Sequence, residues 1–270
     1  MTIPVLIGTM EFSSKYGPWA VVTGASAGLG AHYCRQLAER GLNIVLVARR
    51  RDQLETLAEQ LHSQHGVECR VLAMDLLAEN AVAEITATAE DLEVGLLVNN
   101  AGFGWKGSFL EGGAERFRDM IRLNCEVPTL LSYALLPAMV KRKRGGMLML
   151  ASTAAFQPTP FFSVYGASKG YDLLLGEALN EELRGTGVDV LTVCPGSTET
   201  EFHGIAGTES TFPRMADPAD VVRKSLDALG RRMTFVHGFK NSMMVAGNRV
   251  APRSMVAKVS ARIIKKVLKD

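Results

Sequence analysis

Short apolar runs alternate with longer amphipathic stretches along most of this chain, and that order limits the fold more than any other feature. Apolar runs of strand length suit strands that are covered on both faces, and strands separated by helices pair in parallel. The runs lie at residues 19–23, 43–48, 69–74, 95–99, 146–151, 189–194 and 233–237. Helical patterns lie between them, for example at 31–40, 51–65 and 219–229. The sequence therefore predicts an α/β fold whose mostly parallel sheet carries helices on both faces.

The length and the lack of linkers predict the domain organisation. A chain of 270 residues with 47% hydrophobic composition can bury one large core. No internal repeat or low-complexity segment interrupts the order of strands and helices. We predict an N-terminal extension at 1–18, one domain at 19–240 and a C-terminal tail at 241–270.

Composition argues against several classes of function. The net charge of +2 creates no strong field and no arginine-rich stripe appears, so nucleic acid is not an expected partner. The cysteines are scattered without a C-x-x-C pair and the histidines lack ligand spacing, so no metal site is predicted. The first residues lack a basic signal region, and no apolar stretch is expected to be long enough to span a membrane. We predict a reduced, soluble, cytoplasmic protein.

A glycine-rich turn follows the first predicted strand. Gly24, Gly28 and Gly30 separate this strand from a helical pattern, which would aim free backbone N–H groups and a helix N-terminus at a phosphate. The spacing G-x-x-x-G-x-G departs from the general dinucleotide fingerprint G-x-G-x-x-G. A plain strand-to-helix turn is the alternative, because glycines also serve tight turns. The turn is predicted to bind the pyrophosphate of a dinucleotide.

The end of the second strand carries positive charge. Arg49, Arg50 and Arg51 follow Ala48, and no acid appears before Asp52. A carboxylate here would bind the ribose 2′-hydroxyl of NAD, whereas a guanidinium suits the 2′-phosphate of NADP. A solvated helix start is the alternative, although basic charge at a helix N-terminus opposes the helix dipole unless an anion binds. The sequence predicts NADP(H) in preference to NAD(H), with Arg49 as the phosphate ligand.

A tyrosine and a lysine stand four residues apart, at Tyr165 and Lys169, with Ser152 upstream. On a helix this spacing puts both side chains on one face. A nearby ammonium favours the phenolate and brings the tyrosine pKa down from about 10 toward the working range, where tyrosine is an effective general acid. A Tyr–Lys pair also arises by chance in long helices, so this pair needs support from the rest of the sequence.

These motifs occur in an order that resembles the short-chain dehydrogenase/reductase family, in its compact single-domain form, over about residues 18–240. The resemblance rests on the glycine turn, Asp75-Leu76, Asn99-Asn100-Ala101-Gly102, Asn124, Ser152, Tyr165-x-x-x-Lys169 and Pro195-Gly196. Two segments look most like broad-specificity reductases related to 17β-hydroxysteroid and 3-ketoacyl reductases, at residues 16–26 and 47–50. The resemblance implies a three-layer, Rossmann-type, doubly wound sheet of about seven mostly parallel strands.

The resemblance also implies the site residues. Its catalytic tetrad falls on Asn124, Ser152, Tyr165 and Lys169. Its cofactor-binding positions fall on Gly24, Ser26, Gly28, Leu29, Gly30, Arg49, Asp75, Asn99, Ala101, Gly102, Tyr165, Lys169, Pro195, Gly196, Thr198 and Thr200. Among these, Asp75 would lie by the adenine and the 195–200 turn by the nicotinamide carboxamide.

The implied reaction moves a hydride between the nicotinamide and a carbonyl or secondary alcohol on a small apolar substrate, such as a ketosteroid or a ketoacyl compound. Tyr165 would give or take the proton, and Ser152 would hydrogen-bond the carbonyl oxygen. Lys169 would lower the Tyr165 pKa and hold ribose hydroxyls. Asn124 would support a water relay behind Lys169.

Aromatic residues follow several predicted strands. They either line an apolar cleft above the nicotinamide or pack the cores of loops. These residues are Phe103, Trp105, Phe156, Phe161, Phe162, Phe202 and Phe212.

Two surfaces are predicted to make further contacts. The tail from Arg253 to Asp270 places apolar residues at helical spacing beside basic ones. Docking on the domain or on a sister subunit is its expected role, with peripheral attachment to an anionic membrane as a second hypothesis. The family resemblance implies a homodimer or homotetramer built on long helices at 114–144 and 163–184.

Two other functions fit parts of the sequence. The segment Gly24-Ala25-Ser26-Ala27-Gly28 matches the G-x-S-x-G elbow of α/β-hydrolases, with Ser26 as nucleophile. An elbow needs strands before it to place the serine centrally, and only a short segment precedes Ser26. A nucleotide-binding regulator that senses the NADP redox state without turnover would keep the glycine turn and Arg49 but would not need the tetrad. The oxidoreductase is therefore the favoured function.

Overall fold

The computed structural model describes residues 11–199 and 215–267, with side-chain burial described up to residue 265. The strands are β1 Trp19–Thr23, β2 Asn43–Ala48, β3 Cys69–Ala73, β4 Val94–Asn99, β5 Gly145–Leu150, β6 Val188–Cys194 and β7 Thr234–Val236. The helices are α1 Gly28–Glu39, α2 Arg51–His65, α3 Ala81–Ala89, α4 Ala114–Ile121, α5 Val127–Arg142, α6 Ser163–Glu182, α7 Pro218–Ala228, α8 Phe239–Val250 and α9 Arg253–Val267. Every strand boundary lies within one residue of its prediction.

The strands form one seven-stranded sheet in the order β3-β2-β1-β4-β5-β6-β7, and all neighbouring pairs are parallel. Winding starts at β1 and proceeds outward to β3, then returns to the other side of β1 with β4. The predicted doubly wound, Rossmann-type fold with helices on both faces is confirmed. The reversal between β1 and β4 opens a crevice at the carboxyl ends of these strands.

The sheet is buried because both of its faces are covered. Along β1, Ala20 and Val22 face one core together with Leu37 of α1. Val21 faces the other core together with Leu131 of α5. Adjacent residues of a strand point to opposite faces, so a continuous apolar run is what a strand needs when helices cover both sides.

Local signals set the ends of several helices. Gly66 takes a left-handed conformation with φ 70° and ends α2, while the Asp217 side chain caps α7 by accepting a hydrogen bond from the Ala219 N–H. Helix α1 begins at Gly28 rather than at residue 31, because the Ala31 N–H already bonds the Ala27 carbonyl oxygen. The glycine turn and the helix therefore overlap.

Helices α4 and α5 form one continuous helix, joined by a π-helical turn at Arg122–Glu126. By length and composition this helix, Ala114–Arg142, could cross a membrane: its most apolar 18-residue window has a mean hydropathy of 1.2, and 44% of that window is buried. The prediction that no apolar stretch is long enough to span a membrane is therefore wrong. Leu131, Leu135 and Met139 pack against the sheet, so the core accounts for much of the apolar character.

The segments at both ends of the domain pack onto it. Residues 11–16 are helical, and the buried Tyr16 donates its hydroxyl hydrogen bond to Asp189 Oδ2 at 2.5 Å. At the other end, the predicted boundary after residue 240 falls inside α8. Val256 of α9 is buried, and Lys265 Nζ lies 5.3 Å from the centre of the Phe161 ring. The tail thus docks on the domain.

Candidate active site

The candidate site lies along the carboxyl edge of the sheet. There β1, β4, β5 and β6 end side by side, and the loops that follow them carry most of the predicted site residues. Helix α6 adds Tyr165 and Lys169 at the end of β5. In a doubly wound sheet this edge, near the reversal of strand order, is where ligands bind.

The turn after β1 leaves room for a phosphate because of its glycines. Gly24 has φ 68° and Gly28 has φ 52°, left-handed values that favour glycine. A Cβ added to Gly30 would lie 2.1 Å from the Gly24 carbonyl oxygen, so no side chain fits there. The residue before α1 is Ala27, whose methyl group cannot cap the N–H groups of the first turn. A bound anion would satisfy these N–H groups.

A threonine and an asparagine join this turn to the loop after β4. Thr23 Oγ1 accepts hydrogen bonds from the Asn100 and Ala101 N–H groups, both at 3.0 Å. Asn100 Nδ2 donates to the Thr23 carbonyl oxygen at 2.8 Å. Sequence reasoning did not assign a role to Thr23 or Asn100. The two are 77 residues apart in the chain, and no local pattern indicates such a pair.

The basic run after β2 meets the glycine turn through Arg50. Arg50 Nε and Nη2 donate to Ser26 Oγ at 3.3 and 3.2 Å. Arg49, the predicted phosphate ligand, is exposed at the same corner. A cleft of about 250 Å³ opens beside Ser26 and is lined in part by Arg35 and Asp52. Sequence reasoning named Arg50 in this basic run but assigned the phosphate contact to Arg49 alone.

Two predicted cofactor residues are engaged by the protein itself. Asp75 is exposed beyond the end of β3, and its Oδ1 accepts a hydrogen bond from the Leu77 N–H at 3.0 Å. Asn99 is buried, and its Nδ2 donates to Ser132 Oγ of α5 at 3.1 Å. The Asn99 side chain is therefore directed to α5, and cofactor contacts of both residues stay a prediction.

The predicted acid and its serine partner meet at the end of β5. Tyr165 is 8% exposed, and Ser152 lies close enough to its hydroxyl to lower the Tyr165 pKa through a side-chain hydrogen bond. Ser152 precedes a 3-10 turn at Thr153–Phe156, and its Oγ accepts a hydrogen bond from the Ala154 N–H at 3.1 Å. The Ala154 N–H is the donor in this bond and Oγ the acceptor. The Ser152 hydroxyl can therefore donate its own proton to an oxygen in the site.

Lys169 is buried behind Tyr165 on the same helix. Its Nζ donates to the Leu150 carbonyl oxygen at 2.6 Å and to Asp172 Oδ2 at 2.9 Å. A Cβ added to Gly102 would lie 3.5 Å from Lys169 Nζ, so the loop after β4 reaches the same place. The predicted pair of Tyr165 and Lys169 therefore shares one helix face, as the spacing indicates.

The pKa of Tyr165 lies above its ordinary value, which is opposite to the predicted direction. Burial is the largest cause, because a phenolate is costly away from water. Lys169 and the Ser152 hydrogen bond lower the pKa, whereas Asp172 and Cys194 raise it. For Lys169, burial opposes the ammonium, but Asp172 and Tyr165 outweigh that effect and raise its pKa. Tyr165 thus keeps its proton, as an acid for reduction must.

Asn124 lies at the centre of the π-helical turn. It is 1% exposed; its Oδ1 accepts from the Phe103 N–H at 3.1 Å, and its Nδ2 donates to the Phe103 carbonyl oxygen at 3.0 Å. The same Nδ2 donates to Ser168 Oγ of α6 at 2.9 Å. Asn124 therefore ties the loop after β4 to the helix of Tyr165. Such π insertions are frequent at functional sites, and the apolar pattern of the helix gave no sign of this one.

The turn after β6 closes the site on the side of α8. The Pro195 carbonyl oxygen accepts a hydrogen bond from the Thr153 N–H at 2.9 Å, and Thr198 Oγ1 donates to the Gly196 carbonyl oxygen at 3.1 Å. A Cβ added to Gly196 would lie 2.4 Å from Asn241 Nδ2 of α8, so the turn and the helix are in close contact. Thr200, Phe202 and Phe212 lie outside the described residues.

The remaining predicted aromatic residues divide between the site and loop packing. Phe162 stacks on Tyr165 with ring centres 4.3 Å apart. Trp105 packs edge-on against Phe117 of α4, with ring centres 5.6 Å apart. Phe156 packs against a small core that includes Ala151. Phe162 thus places an aromatic ring against the predicted acid.

Comparison with known proteins decides the family. The model of the short chain dehydrogenase family matches residues 18–209. The chain belongs to this family. It is therefore an oxidoreductase of a family that binds a nicotinamide cofactor, and the resemblance stated from its motifs is confirmed.

Relatives within the short-chain dehydrogenases match most of the chain. It is 29% identical to 7beta-hydroxysteroid dehydrogenase of Clostridium sardiniense over 93% of this chain and 97% of that protein. It is 35% identical to the very-long-chain 3-oxoacyl-CoA reductase of Meyerozyma guilliermondii over 83% of this chain and 68% of that protein. A solved short-chain dehydrogenase from Sphingobium yanoikuyae in complex with NADPH is 34% identical with a TM-score of 0.78, over 86% of this chain and 94% of that chain.

Proposed function

We propose that this oxidoreductase transfers a hydride between NADP(H) and a carbonyl or secondary alcohol carbon of an apolar substrate, with Tyr165 as general acid and base. The observation that carries the proposal is the buried cluster at the end of β5. There Ser152 and Lys169 both lie close enough to Tyr165 to lower its pKa, and Lys169 is on the same helix. Carbonyl reduction needs a proton donor and a stabiliser of negative charge on oxygen, and this cluster offers both.

The residues around the crevice fit a dinucleotide. Gly24, Gly28 and Gly30 would hold the pyrophosphate at the N-terminus of α1, since only a turn without side chains lets backbone N–H groups approach it. Further contacts would come from Leu29, Asp75, Asn99, Ala101, Gly102, Pro195, Gly196, Thr198 and Thr200. When bound, the cofactor supplies the hydride for reduction.

Each member of the tetrad has a distinct role in this proposal. Tyr165 gives its proton to the substrate oxygen in reduction and takes it back in oxidation. Ser152 donates a hydrogen bond to the same oxygen while negative charge grows there. Lys169 holds ribose hydroxyls, and Asn124 supports a water relay behind it while fixing the loop after β4.

Replacing Tyr165 by phenylalanine tests the proton donor. We expect kcat to fall by about 10²–10⁴-fold, with NADPH binding retained because the ring and the helix are unchanged. The matched control is Tyr171→Phe on the same helix, whose hydroxyl bonds Thr129 Oγ1 at 2.8 Å and which should stay active. A Tyr165→Phe enzyme that turns over like the wild type would contradict the mechanism.

The preference for NADP(H) is proposed from the charge beside the glycine turn. Arg50 reaches Ser26, and Arg49 lies exposed next to it, so the positive charge at this corner favours a 2′-phosphate. The NADPH complex of the Sphingobium yanoikuyae relative supports the same choice.

Steady-state rates with NADPH and NADH test this preference. We expect Arg49→Ala and Arg50→Ala to raise the KM for NADPH while leaving the KM for NADH nearly unchanged. Arg51→Ala is the control, because Arg51 pairs with Glu55 on the exposed face of α2. Equal losses with both cofactors would indicate damage to the turn rather than loss of a phosphate ligand.

The substrate is proposed to be a ketosteroid, a 3-ketoacyl compound or a related ketone. Phe162 against Tyr165 puts an apolar ring beside the acid, which suits an apolar ketone. The relatives are named for hydroxysteroid and 3-oxoacyl-CoA chemistry. NADPH oxidation across ketosteroids, 3-ketoacyl thioesters, aromatic ketones and quinones would rank these classes.

A cytoplasmic homodimer or homotetramer is proposed for the assembly. Tyr133 on α5 and Leu174 on α6 are 81% and 68% exposed, so both helices present apolar surface. Light scattering coupled to size exclusion would measure the mass, and a monomer would contradict this proposal.

Peripheral membrane contact is proposed for the outer face of α9. Met255 and Ile263 are exposed there beside Lys258 and Arg262. Sedimentation with anionic vesicles at low salt tests it, because deletion of the tail should then reduce binding.

The two alternative functions have direct tests. A Ser26 hydrolase would react with a fluorophosphonate probe, but Ser26 Oγ is hydrogen-bonded to Arg50 and the chain belongs to an oxidoreductase family. A sensor of the NADP redox state would bind NADPH and turn over no substrate on the panel. Turnover of any ketone on the panel would exclude the sensor.

A further inference from the structure

Asp172 is a buried acid to which the proposed function gives no role. It lies on α6 one turn after Lys169, its side chain is 2% exposed, and Oδ2 accepts a hydrogen bond from Lys169 Nζ at 2.9 Å. Oδ1 is buried too, and no described residue donates a hydrogen bond to it. Burying a carboxylate costs free energy that pairing only partly offsets. Stability alone therefore does not explain why Asp172 is buried with only one of its two oxygens hydrogen-bonded.

The ion pair determines where the Lys169 ammonium lies. Nζ carries three N–H groups, of which one donates to the Leu150 carbonyl oxygen at 2.6 Å and one to Asp172. Leu150 is the last residue of β5, so the strand end and Asp172 hold the ammonium between them. At most one N–H group is left for a ligand, and its direction is fixed by the other two.

The other titratable groups that face this cluster from described elements are thiols. Cys125 approaches from the π-helical turn and Cys194 from β6. Burial raises the pKa of Cys125 to about 11 and also raises that of Cys194, so both thiols are neutral near neutral pH. Asp172 and Lys169 thus dominate the charge next to Tyr165.

We propose that Asp172 is a positioning residue that holds the Lys169 ammonium in place and offsets its charge at Tyr165. Tyr165 then lies beside the ion pair of Lys169 and Asp172 rather than beside an unpaired ammonium. It keeps its proton until a substrate oxygen takes it. Only the kinetic consequence of this inference rests on the proposed function.

Ultraviolet titration of the Tyr165 phenol, in the protein without cofactor, tests the offset. The other tyrosines absorb as well, so each variant is titrated with and without Tyr165→Phe. The difference between the two curves is the signal of Tyr165. In Asp172→Asn we expect Tyr165 to titrate on the order of one pH unit lower, because an unpaired ammonium favours the phenolate. The control is Asp220→Asn, which removes an acid paired with Lys224 on α7 and should leave the titration unchanged. An unchanged or higher midpoint in Asp172→Asn overturns the proposal.

A double variant covers the case in which Asp172→Asn does not fold. Lys169→Met together with Asp172→Asn removes both charges, and removal of a whole buried pair is better tolerated than removal of one partner. If Asp172 offsets Lys169, the Tyr165 midpoint stays within about half a pH unit of the wild type. A rise of about one unit or more would show that Lys169 acts at full charge, and would overturn the proposal.

Kinetics supply an independent readout. For alcohol oxidation, which needs the phenolate, the pH profile of kcat/KM should move to lower pH in Asp172→Asn and return toward the wild type in Asp172→Glu. A profile that does not move in Asp172→Asn counts against the positioning role. If the wild type turns over no substrate, the proposed function fails, while the phenol titration still decides the role of Asp172.

Discussion

Replacing Gly30 by alanine adds one methyl group where the glycine turn packs against itself. The new Cβ would lie 2.1 Å from the Gly24 carbonyl oxygen and 2.7 Å from Asn100 Nδ2, whereas ordinary contact begins at 3.4 Å. The turn must therefore open by about 1.3 Å, and overpacking of this kind costs about 1–3 kcal/mol of folding stability. An opened turn would also lose at least one of the proposed N–H bonds to the cofactor phosphate, worth about 1.5–3 kcal/mol. We expect the Kd for NADPH to rise by about ten- to a hundredfold.

Gly247 offers a matched control on α8. No heavy atom of a described residue lies within 4 Å of a Cβ added there, so Gly247→Ala should stabilise the protein. The expected gain is about 0.5–1 kcal/mol, because alanine favours a helix over glycine. Urea denaturation without cofactor gives the free energy of unfolding, and a fluorescence titration gives the Kd for NADPH. Wild-type stability and wild-type affinity in Gly30→Ala would refute the reasoning about the turn.

Three further changes have defined outcomes. Tyr16→Phe removes the buried hydroxyl that donates to Asp189, and urea denaturation should show a loss of about 1.5–3 kcal/mol. Hydrogen bonds lower the pKa of Asp220, and the largest contribution comes from Lys224. The ionised Asp220 therefore stabilises the folded protein above the ordinary carboxyl pKa, and this stabilisation is lost as the pH falls through the lowered pKa. In acid unfolding, wild type should therefore be more stable than Asp220→Asn near neutral pH, and this difference should shrink as the pH falls below about 4. Asn124→Ala frees the loop after β4, and stopped-flow turnover should fall by about 10²-fold with NADPH binding retained.

Strands could be predicted from the sequence because their signal is local. In a sheet covered on both faces, burial makes each strand a continuous apolar run, and the runs ended within one residue of the observed strands. The Tyr165–Lys169 pair could be predicted for a similar reason, since helical spacing alone puts the two on one face. The same principle placed the glycine turn, where strand, glycines and helix are consecutive.

What could not be predicted depends on contacts between distant segments. The bond between Asn100 and Thr23 joins the end of β1 to the loop after β4, and it depends on the adjacency of these two strands, which the apolar pattern does not encode. The direction of the Tyr165 pKa depends on burial, and helical spacing says nothing about burial. Asp172 had the spacing to pair with Lys169, but on an exposed helix such a pair is an ordinary surface contact. Only the packed structure shows that it is buried.

The proposed reaction moves a hydride between the nicotinamide and a substrate carbonyl. NADPH carrying deuterium at the transferable C4 position, incubated with the ketone panel, tests this most directly by mass spectrometry of the alcohol products. We expect one deuterium at the carbinol carbon of at least one apolar ketone, and at most about a hundredth as much labelled product with Tyr165→Phe over the same time. Tight binding of the labelled NADPH with no deuterium in any product would contradict it.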